Sequence, residues 1–161
     1  MIELNDLLAQ VWPLAAKQAV QHETVELKLA FGRVLAEDAL SALNVPQHDN
    51  SGMDGYAVHC ADFLAAHVFL VSQRVPAGTS PLPLKAGTVA RIFTGAPIPL
   101  GADSIVMQED KVLNADGTVG FSETPRIGQW IRRAGEDISI GQVAVPKGTR
   151  LDAIHVGLLA S

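Results

Sequence analysis

The sequence predicts an α+β fold in which both chain ends form a mixed α/β helical lobe and the middle forms an inserted β-rich, barrel-like lobe. Helical periodicity is confined to the two ends of the chain. Between them, short β-rich runs alternate with frequent Pro and Gly residues, as in small all-β lobes. We therefore expect one lobe from residues 1–43 and 140–161 and a second lobe from residues 44–139.

The N-terminal segment has the apolar spacing of an amphipathic helix. Its apolar positions are Leu4, Leu7, Leu8, Val11, Trp12, Ala15 and Ala19. Pro13 lies inside this pattern, where the missing N–H favours a kink or an early end. Further along, residues 23–30 alternate as a strand would, and residues 30–40 indicate a short helix interrupted near Gly32.

The middle segment contains six runs that are typical of short strands: GYAV, HVFLVSQRV, TVARIFT, SIVMQED, KVL and TVGFS. Between the last two runs, Asp116-Gly117 predicts a hairpin with two positive φ angles, a type I′ turn. After them, GQVAVP predicts one more strand. The final residues predict a helix that Asp152 caps.

Composition and charge exclude several classes of function. A formal charge of -5 argues against nucleic acid as a partner, since phosphate backbones are bound by basic surfaces. No apolar run approaches the roughly 20 residues of a membrane span, and the N-terminus is acidic where a signal peptide is basic. The single cysteine, Cys60, forms no internal disulfide. We therefore expect a cytoplasmic protein that binds neither nucleic acid nor membrane.

The segment HDNSGMDGYAV concentrates polar and glycine residues immediately before a predicted strand. A structural turn is the interpretation that these residue types favour most. A second interpretation is a metal site, because Asp49 and Asp54 offer oxygen ligands that suit Mg²⁺. A third is nucleophilic catalysis by Ser51 with His48, although the GxSxG motif is absent.

Two later loops also present polar groups. Thr94 and Gly95 follow an apolar run, where a hydroxyl and neighbouring backbone N–H groups could meet an anion. The alternative is a Pro-rich surface turn, which the sequence alone favours. In RRAGED, two arginines are followed by two acids, which favours an internally paired charge cluster over an anion site.

Three motifs follow one another in register: VPQHDNSGMDGYAV, RIFTGAPIPLGADSIVMQED and IRRAGEDISIGQVAVPKGTRL. With LAFGRVLAED upstream, they resemble the N-terminal region of the molybdopterin molybdenumtransferase family, the MoeA and gephyrin E-domain group. The resemblance covers essentially the whole chain. It implies a transferase of molybdenum cofactor biosynthesis that inserts molybdate into adenylylated molybdopterin and releases AMP in a Mg²⁺-dependent reaction.

The resemblance also implies site residues and partners. It places the catalytic aspartate of MDGYAV at Asp54, with a role as Mg²⁺ ligand, and the catalytic threonine of TGA at Thr94, as a donor to an anionic oxygen. Ser51, Gly55 and Gly95 are the neighbouring candidates for substrate binding. Family members are elongated homodimers whose active site is shared between subunits, and a molybdopterin-adenylylating protein supplies their substrate.

Family members continue beyond the GLLAS segment into a molybdopterin-binding domain and a further C-terminal β domain, and both are absent from this sequence. We therefore expect the 161-residue chain to be inactive by itself. Two alternatives stay open: a non-catalytic dimerisation or scaffold module of gephyrin type, and a stand-alone metal-dependent hydrolase. The presence of Asp54 and Thr94 favours the enzyme over the scaffold.

Overall fold

The computed structural model describes residues 3–16 and 21–161 and mixes short helices with β-sheet. The chain forms two compact units. The first consists of Met1–Ala39 and Ala144–Ser161, and the second consists of Leu40–Val143. This mixed content agrees with the predicted α+β class, whereas the predicted lobe boundaries stay a prediction.

Helix α1, Leu4–Ala16, is the predicted N-terminal helix. Pro13 lies inside it, and the helix continues past this residue, so the early end considered above is not observed. The large apolar side chains of α1 are exposed within the described chain, with 69% of Leu4 and 67% of Trp12 accessible. Ala19, the last position of the predicted pattern, lies outside the described residues.

The segment that follows forms neither the strand nor the helix that the sequence predicts. Residues 23–30 contain a 3₁₀ turn at Leu27–Leu29. Residues 30–40 contain turns, an isolated bridge at Val34 and the short strand β1, Ala39–Leu40. Both predictions were wrong for this segment.

Contacts with the far end of the chain explain this difference. Ala30 is buried with Val145 and Leu151 in the core of the first unit. The Gly32 N–H donates to Leu151 O at 2.7 Å, and the Leu151 N–H donates to Arg33 O at 2.8 Å. Backbone groups that a local helix would use are therefore bonded to residues more than a hundred positions away, and tertiary packing overrides the local pattern.

Two predicted elements near the C-terminus are confirmed. The GQVAVP run forms β10, Val143–Val145, which makes a two-stranded sheet with β1. Helix α2, Ala153–Ala160, begins after Asp152, whose Oδ1 accepts a hydrogen bond from the His155 N–H at 2.9 Å. Within the described ranges, neither helix has the length and apolar character needed to cross a membrane.

The second unit is built on a curled, half-barrel sheet of six strands. These strands are β3 Gly55–Val58, β4 Val68–Val75, β5 Thr88–Ile92, β6 Ser104–Met107, β7 Lys111–Leu113 and β8 Val119–Phe121. They match the six predicted runs. Their order across the sheet is β6-β3-β5-β4-β8-β7, and β4 and β5 are parallel while the other neighbours are antiparallel.

Shorter elements complete this unit. Strands β2, Asn50–Ser51, and β9, Ile131–Arg132, form a separate antiparallel pair. Single 3₁₀ segments occupy Cys60–Leu64 and Gln108–Asp110. The pairing of β2 with β9 fixes the chain immediately before the MDGYAV motif.

Two buried clusters form the core of the second unit. One contains Tyr56, Val58, Phe63, Phe69, Val89, Val106, Val119 and Phe121. The other contains Ala57, Val75, Ala90, Ile92, Ala96 and Ile105. Neighbouring strand residues belong to different clusters because successive side chains point to opposite faces of a sheet. Both faces of the central strands are therefore buried.

The hairpin between β7 and β8 is present, but its predicted turn type is wrong. Gly117 has a φ of 83°, whereas Trp130 is the only described residue other than glycine with a positive φ. The Asp116 side chain instead accepts hydrogen bonds from the Thr118 N–H and hydroxyl at 2.9 and 2.7 Å. These bonds close a longer loop, in which the Asn114 N–H donates to Thr118 O at 3.0 Å.

Two buried serines differ in their hydrogen bonds. Ser104 is 0% exposed and its Oγ has no partner in the part of the chain that the structure describes. Ser51 is 1% exposed, and its Oγ donates to Met53 O at 2.6 Å. We expect Ser104→Ala to raise the free energy of unfolding by about 1 kcal/mol and Ser51→Ala to lower it by about 1–3 kcal/mol. Urea unfolding of both variants measures this contrast, and a destabilised Ser104→Ala protein would contradict the unpaired hydroxyl.

Candidate functional site

The two predicted catalytic residues meet at one end of the β3–β5 pair. Gly55 lies opposite Ile92 in this antiparallel register, so the residue before Gly55 and the residues after Ile92 share an edge. The N–H and the Oγ1 hydroxyl of Thr94 each lie 2.8 Å from Asp54 Oδ1 and donate to it. The structure thus joins two side chains that are 40 positions apart in the sequence.

This pairing determines the charge of Asp54. Hydrogen bonds from the Thr94 N–H and hydroxyl, with a smaller contribution from the Arg91 charge, hold the pKa of the Asp54 carboxyl below its usual value. Asp54 is therefore a carboxylate near neutral pH. Both bonds reach Oδ1, and Oδ2 has no hydrogen-bond partner among the described residues. Oδ2 is the oxygen that is available to a ligand.

Removing the Thr94 hydroxyl is expected to raise the pKa of Asp54 towards its usual value. We expect Thr94→Val to show this change and Thr94→Ser to keep the low pKa, because the backbone N–H bond stays in both and the hydroxyl only in serine. A carboxyl with a lowered pKa stabilises the fold above its unfolded-state pKa and loses this contribution as the pH falls through its folded-state pKa. The loss therefore falls below about pH 4 in both proteins, and in Thr94→Val it is smaller and is complete at a higher pH. A ¹³C NMR titration of the Asp54 carboxyl measures the shift, and identical curves for both variants would contradict the pairing.

The TGA loop has no free backbone donor for an anion. The Gly95 N–H donates to Ser51 O at 2.8 Å, and the Ala96 N–H donates to Phe93 O at 2.9 Å. The Thr94 N–H is bonded to Asp54. Gly95 has a φ of 79°, which favours glycine, so its identity follows from the turn itself. The anion nest considered from the sequence is therefore filled by internal acceptors.

Neither Ser51, the nucleophile considered from the sequence, nor Cys60 is activated. Ser51 is buried and its hydroxyl donates to a main-chain carbonyl, that of Met53, rather than to a histidine. Burial, with a further contribution from Asp103, raises the pKa of the Cys60 thiol to about 11. Cys60 is therefore protonated near neutral pH, and nucleophilic catalysis finds no support here.

The other loop carboxylate, Asp49, belongs to the paired charge cluster predicted from RRAGED. It accepts hydrogen bonds from the Ala134 N–H at 2.9 Å and from Arg133 Nη1 at 2.6 Å, and these bonds lower its pKa. Arg132 Nη2 lies 2.7 Å from both carboxylate oxygens of Asp137. The internally paired cluster is confirmed, and Asp49 has protein partners of its own.

The metal-ligand set around Asp54 is small. Among residues 3–16 and 21–161, no three His, Cys, Asp or Glu side chains group in a way that could hold a metal ion. Mg²⁺ often binds through one or two carboxylates and completes its coordination with water and substrate phosphates. Asp54 Oδ2 fits Mg²⁺ in this mode only, as a single protein ligand.

Arg91 and Gln108 support the site and were not identified from the sequence. Arg91 Nη1 donates to Gly55 O and Ile92 O, both at 2.8 Å, and Arg91 Nη2 donates to Gln108 Oε1 at 2.6 Å. The Gln108 N–H donates to Asp54 O at 3.0 Å. The available signal was an arginine inside the otherwise apolar run TVARI, within a motif already quoted.

Comparison with known proteins shows the family to which this chain belongs. The family described as the MoeA N-terminal region, domains I and II, matches residues 2–161. The chain belongs to this family. Among curated MoeA relatives, the molybdopterin molybdenumtransferase of Haemophilus influenzae is 44% identical over 144 residues, which cover 88% of this chain and 35% of the relative. The enzyme of the same name from Nostoc sp. is 36% identical over 169 residues, covering 100% of this chain and 38% of the relative.

The chain is also similar to a gephyrin and to two solved structures. Gephyrin of Dictyostelium discoideum is 32% identical over 154 residues, covering 86% of this chain and 21% of gephyrin. Two crystal structures of the molybdopterin biosynthesis MoeA protein from Pyrococcus horikoshii share the fold, with TM-scores of 0.78 and 0.77 at 34% and 33% identity. They cover 86% of this chain, which spans 37% and 38% of theirs.

Proposed function

We propose that this chain is the N-terminal portion of a molybdopterin molybdenumtransferase, which inserts molybdate into adenylylated molybdopterin and releases AMP. The observation that supports this proposal best is the hydrogen-bonded pair of Asp54 and Thr94 in a chain of the MoeA family. Because the chain spans 35% and 38% of the two curated transferases, we expect most of the pterin and nucleotide pocket to lie outside it.

In the proposed reaction, Asp54 acts through its negative charge. Both substrates are anions, so a carboxylate near them needs a cation or a proton between. The lowered pKa of Asp54 disfavours a proton near neutral pH, which leaves a cation. Asp54 Oδ2 is the ligand that this chain offers to Mg²⁺, which when bound would neutralise charge on phosphate and molybdate oxygens.

Thr94 acts in this proposal by holding Asp54. A hydroxyl has one hydrogen, and the hydroxyl of Thr94 donates it to Asp54 Oδ1. The backbone N–H of the same residue donates to the same oxygen, so the two bonds fix the direction in which Oδ2 points. Donation to a substrate oxygen, which the family resemblance implies, would require this hydroxyl bond to break first.

The proposal extends to assembly and location. A homodimer with an active site shared between subunits would cover the exposed apolar side chains of α1, such as Leu4 and Trp12. A molybdopterin-adenylylating protein would supply the substrate. The lone cysteine, Cys60, is consistent with the proposed cytoplasmic location.

A chimeric enzyme tests the proposed function. Residues 2–161 replace the matching region of the Haemophilus influenzae transferase, and AMP release is measured by liquid chromatography with adenylylated molybdopterin, molybdate and Mg²⁺. We expect the chimera to release AMP and the 161-residue chain alone to release none. A folded chimera that releases no AMP, beside an active Haemophilus enzyme, would contradict the proposal.

A scaffold module of gephyrin type is the second candidate, and the match to Dictyostelium gephyrin supports it. This alternative predicts a chimera that assembles normally without turning over substrate. It also predicts that neutralising Asp54 has no biochemical consequence. Size-exclusion chromatography with light scattering, run beside the AMP assay, separates the two candidates.

A further inference from the structure

Two arginines lie side by side on the sheet of the second unit. Arg74 in β4 and Arg91 in β5 are direct partners in the parallel register. The residues that follow them, Val75 and Ile92, are buried together in one core cluster, so both arginines project from the opposite face. Adjacent strands are about 4.8 Å apart, and like charges at paired positions repel.

Neither arginine is within ion-pair distance of a carboxylate among the described residues, although the Arg91 charge helps to lower the pKa of Asp54. No ion pair of the described chain includes Arg74 or Arg91, although the sequence has a formal charge of -5. Arginine has five N–H donors. Arg91 Nη1 and Nη2 donate to protein acceptors, whereas the Arg91 Nε–H has no acceptor among the described residues. Arg74 makes no side-chain hydrogen bond within those residues, so its whole guanidinium is available.

Aromatic rings hold these cations in position. The Arg91 and Arg74 guanidinium carbons lie 4.4 and 4.8 Å from the centroid of the Phe93 ring. Arg91 also lies 5.4 Å from the Tyr56 ring, and the Lys111 ammonium lies 6.0 Å from that ring. Cation–π contacts attract a cation without removing its charge. The cluster is therefore ordered and still positive.

The position of this cluster relates it to the candidate site. Phe93 directly precedes Thr94, and Arg91 holds the carbonyl of Gly55, the residue that follows Asp54. Arg91, whose charge helps to lower the pKa of Asp54, thus lies near a carboxylate that already has its own hydrogen-bond donors. An anion on the arginines would lie beside Asp54 without displacing Thr94.

We propose that Arg74 and Arg91 form a binding site for a tetrahedral oxyanion group with two or more negative charges, a phosphate group or molybdate. Guanidinium forks match such groups in geometry and charge, and a bound anion relieves the repulsion of the pair. The assignment of this anion to the substrate rests on the proposed function, because both of its substrates carry such groups. The free donors of Arg74 and the Nε–H of Arg91 make the contacts.

Binding of inorganic pyrophosphate and of molybdate to the 161-residue chain tests the site. We expect both Arg74 and Arg91 Nε–H signals to shift in ¹H–¹⁵N spectra, and calorimetry to show an affinity about tenfold lower for Arg74→Gln. Arg74→Lys keeps the charge without the fork and should lose less. Arg74 is the residue to replace because it is exposed, whereas Arg91 also holds strand carbonyls.

Arg33→Gln is the matched control, since it removes an exposed arginine that pairs with Glu23 instead. Its affinity should stay within about twofold of the wild type, because it leaves the arginine cluster unchanged. Arg74-dependent binding of pyrophosphate alone identifies a phosphate group as the ligand, and Arg74-dependent binding of molybdate alone identifies the metal oxyanion. Unshifted Arg74 signals, or equal losses in the Gln variants of Arg74 and Arg33, overturn the proposal. Because no turnover is needed, Arg74-dependent binding beside an inactive chimera would refute the proposed function and leave the anion site standing.

Discussion

Replacing Asp54 by Asn in the chimeric transferase is expected to lower kcat by about 10²–10³-fold, the usual loss when a preorganised electrostatic group is removed from a reaction centre. Asparagine keeps the size of the side chain and an oxygen that can accept from Thr94. It removes the negative charge that Oδ2 offers to a cation. We expect a smaller change in KM, since most of the substrate pocket is assigned to other domains. Initial rates of AMP release over a range of substrate concentrations measure both parameters.

Asp116→Asn is the matched control for this variant. Asp116 accepts from the N–H and the hydroxyl of Thr118, the same pattern that Thr94 makes with Asp54, and its pKa is also lowered. It lies in the β7–β8 hairpin, so its neutralisation should leave kcat unchanged. Equal losses in both variants would show that loop hydrogen bonding, rather than the site, was disturbed. A wild-type rate for Asp54→Asn would leave Asp54 as a turn residue.

Replacing Gly55 by Ala is expected to lower the free energy of unfolding by about 3 kcal/mol or more. A Cβ at this position would lie 2.0 Å from Val106 O and 3.1 Å from Met107 Cα. These atoms belong to the backbone of β6, which is paired with β3 and cannot rotate away as a side chain could. The two strands must separate, with a fall in Tm of about 6–12 °C for a chain of this size.

Gly157→Ala is the control for this prediction. Gly157 lies in α2, and a Cβ there would meet nothing within 4 Å. Alanine also favours the helix, so this variant should be neutral or more stable by up to about 1 kcal/mol. Thermal unfolding followed by circular dichroism compares the two. If Gly55→Ala unfolds at the wild-type temperature, close strand packing does not explain this glycine, and its predicted role in substrate binding becomes the better explanation.

The strands of the second unit were predictable because their signal is local. Turn-forming residues such as Pro, Gly, Asn and Asp punctuate the runs of β-formers, and the structure places a strand in each run. The segment between residues 23 and 40 was not predictable in the same way, because its backbone bonds to residues near Leu151. The turn type at Asp116 was predicted wrongly because the Asp116 side chain accepts a hydrogen bond from the Thr118 N–H, which stabilises a longer loop in place of a type I′ turn.

The candidate site was likewise predictable only where its signal is local. Asp54 and Thr94 were each indicated by a motif, but the bond between them depends on the register of β3 and β5, which the motifs do not contain. The arginine cluster was missed for a similar reason. Arg74 and Arg91 become neighbours only through the parallel register of β4 and β5, which the sequence motifs do not contain.

The discontinuous first unit has a consequence for synthesis on the ribosome. Ala30 needs Val145 and Leu151 to complete its core, and both are made after the whole of Leu40–Val143. Domains generally fold as units while the chain emerges. The second unit can therefore fold before the C-terminal segment that completes the core of the first unit has been synthesised. A nascent chain that stops before Val145 would present a finished β unit beside an unshielded apolar segment, which is the kind of surface that chaperones bind.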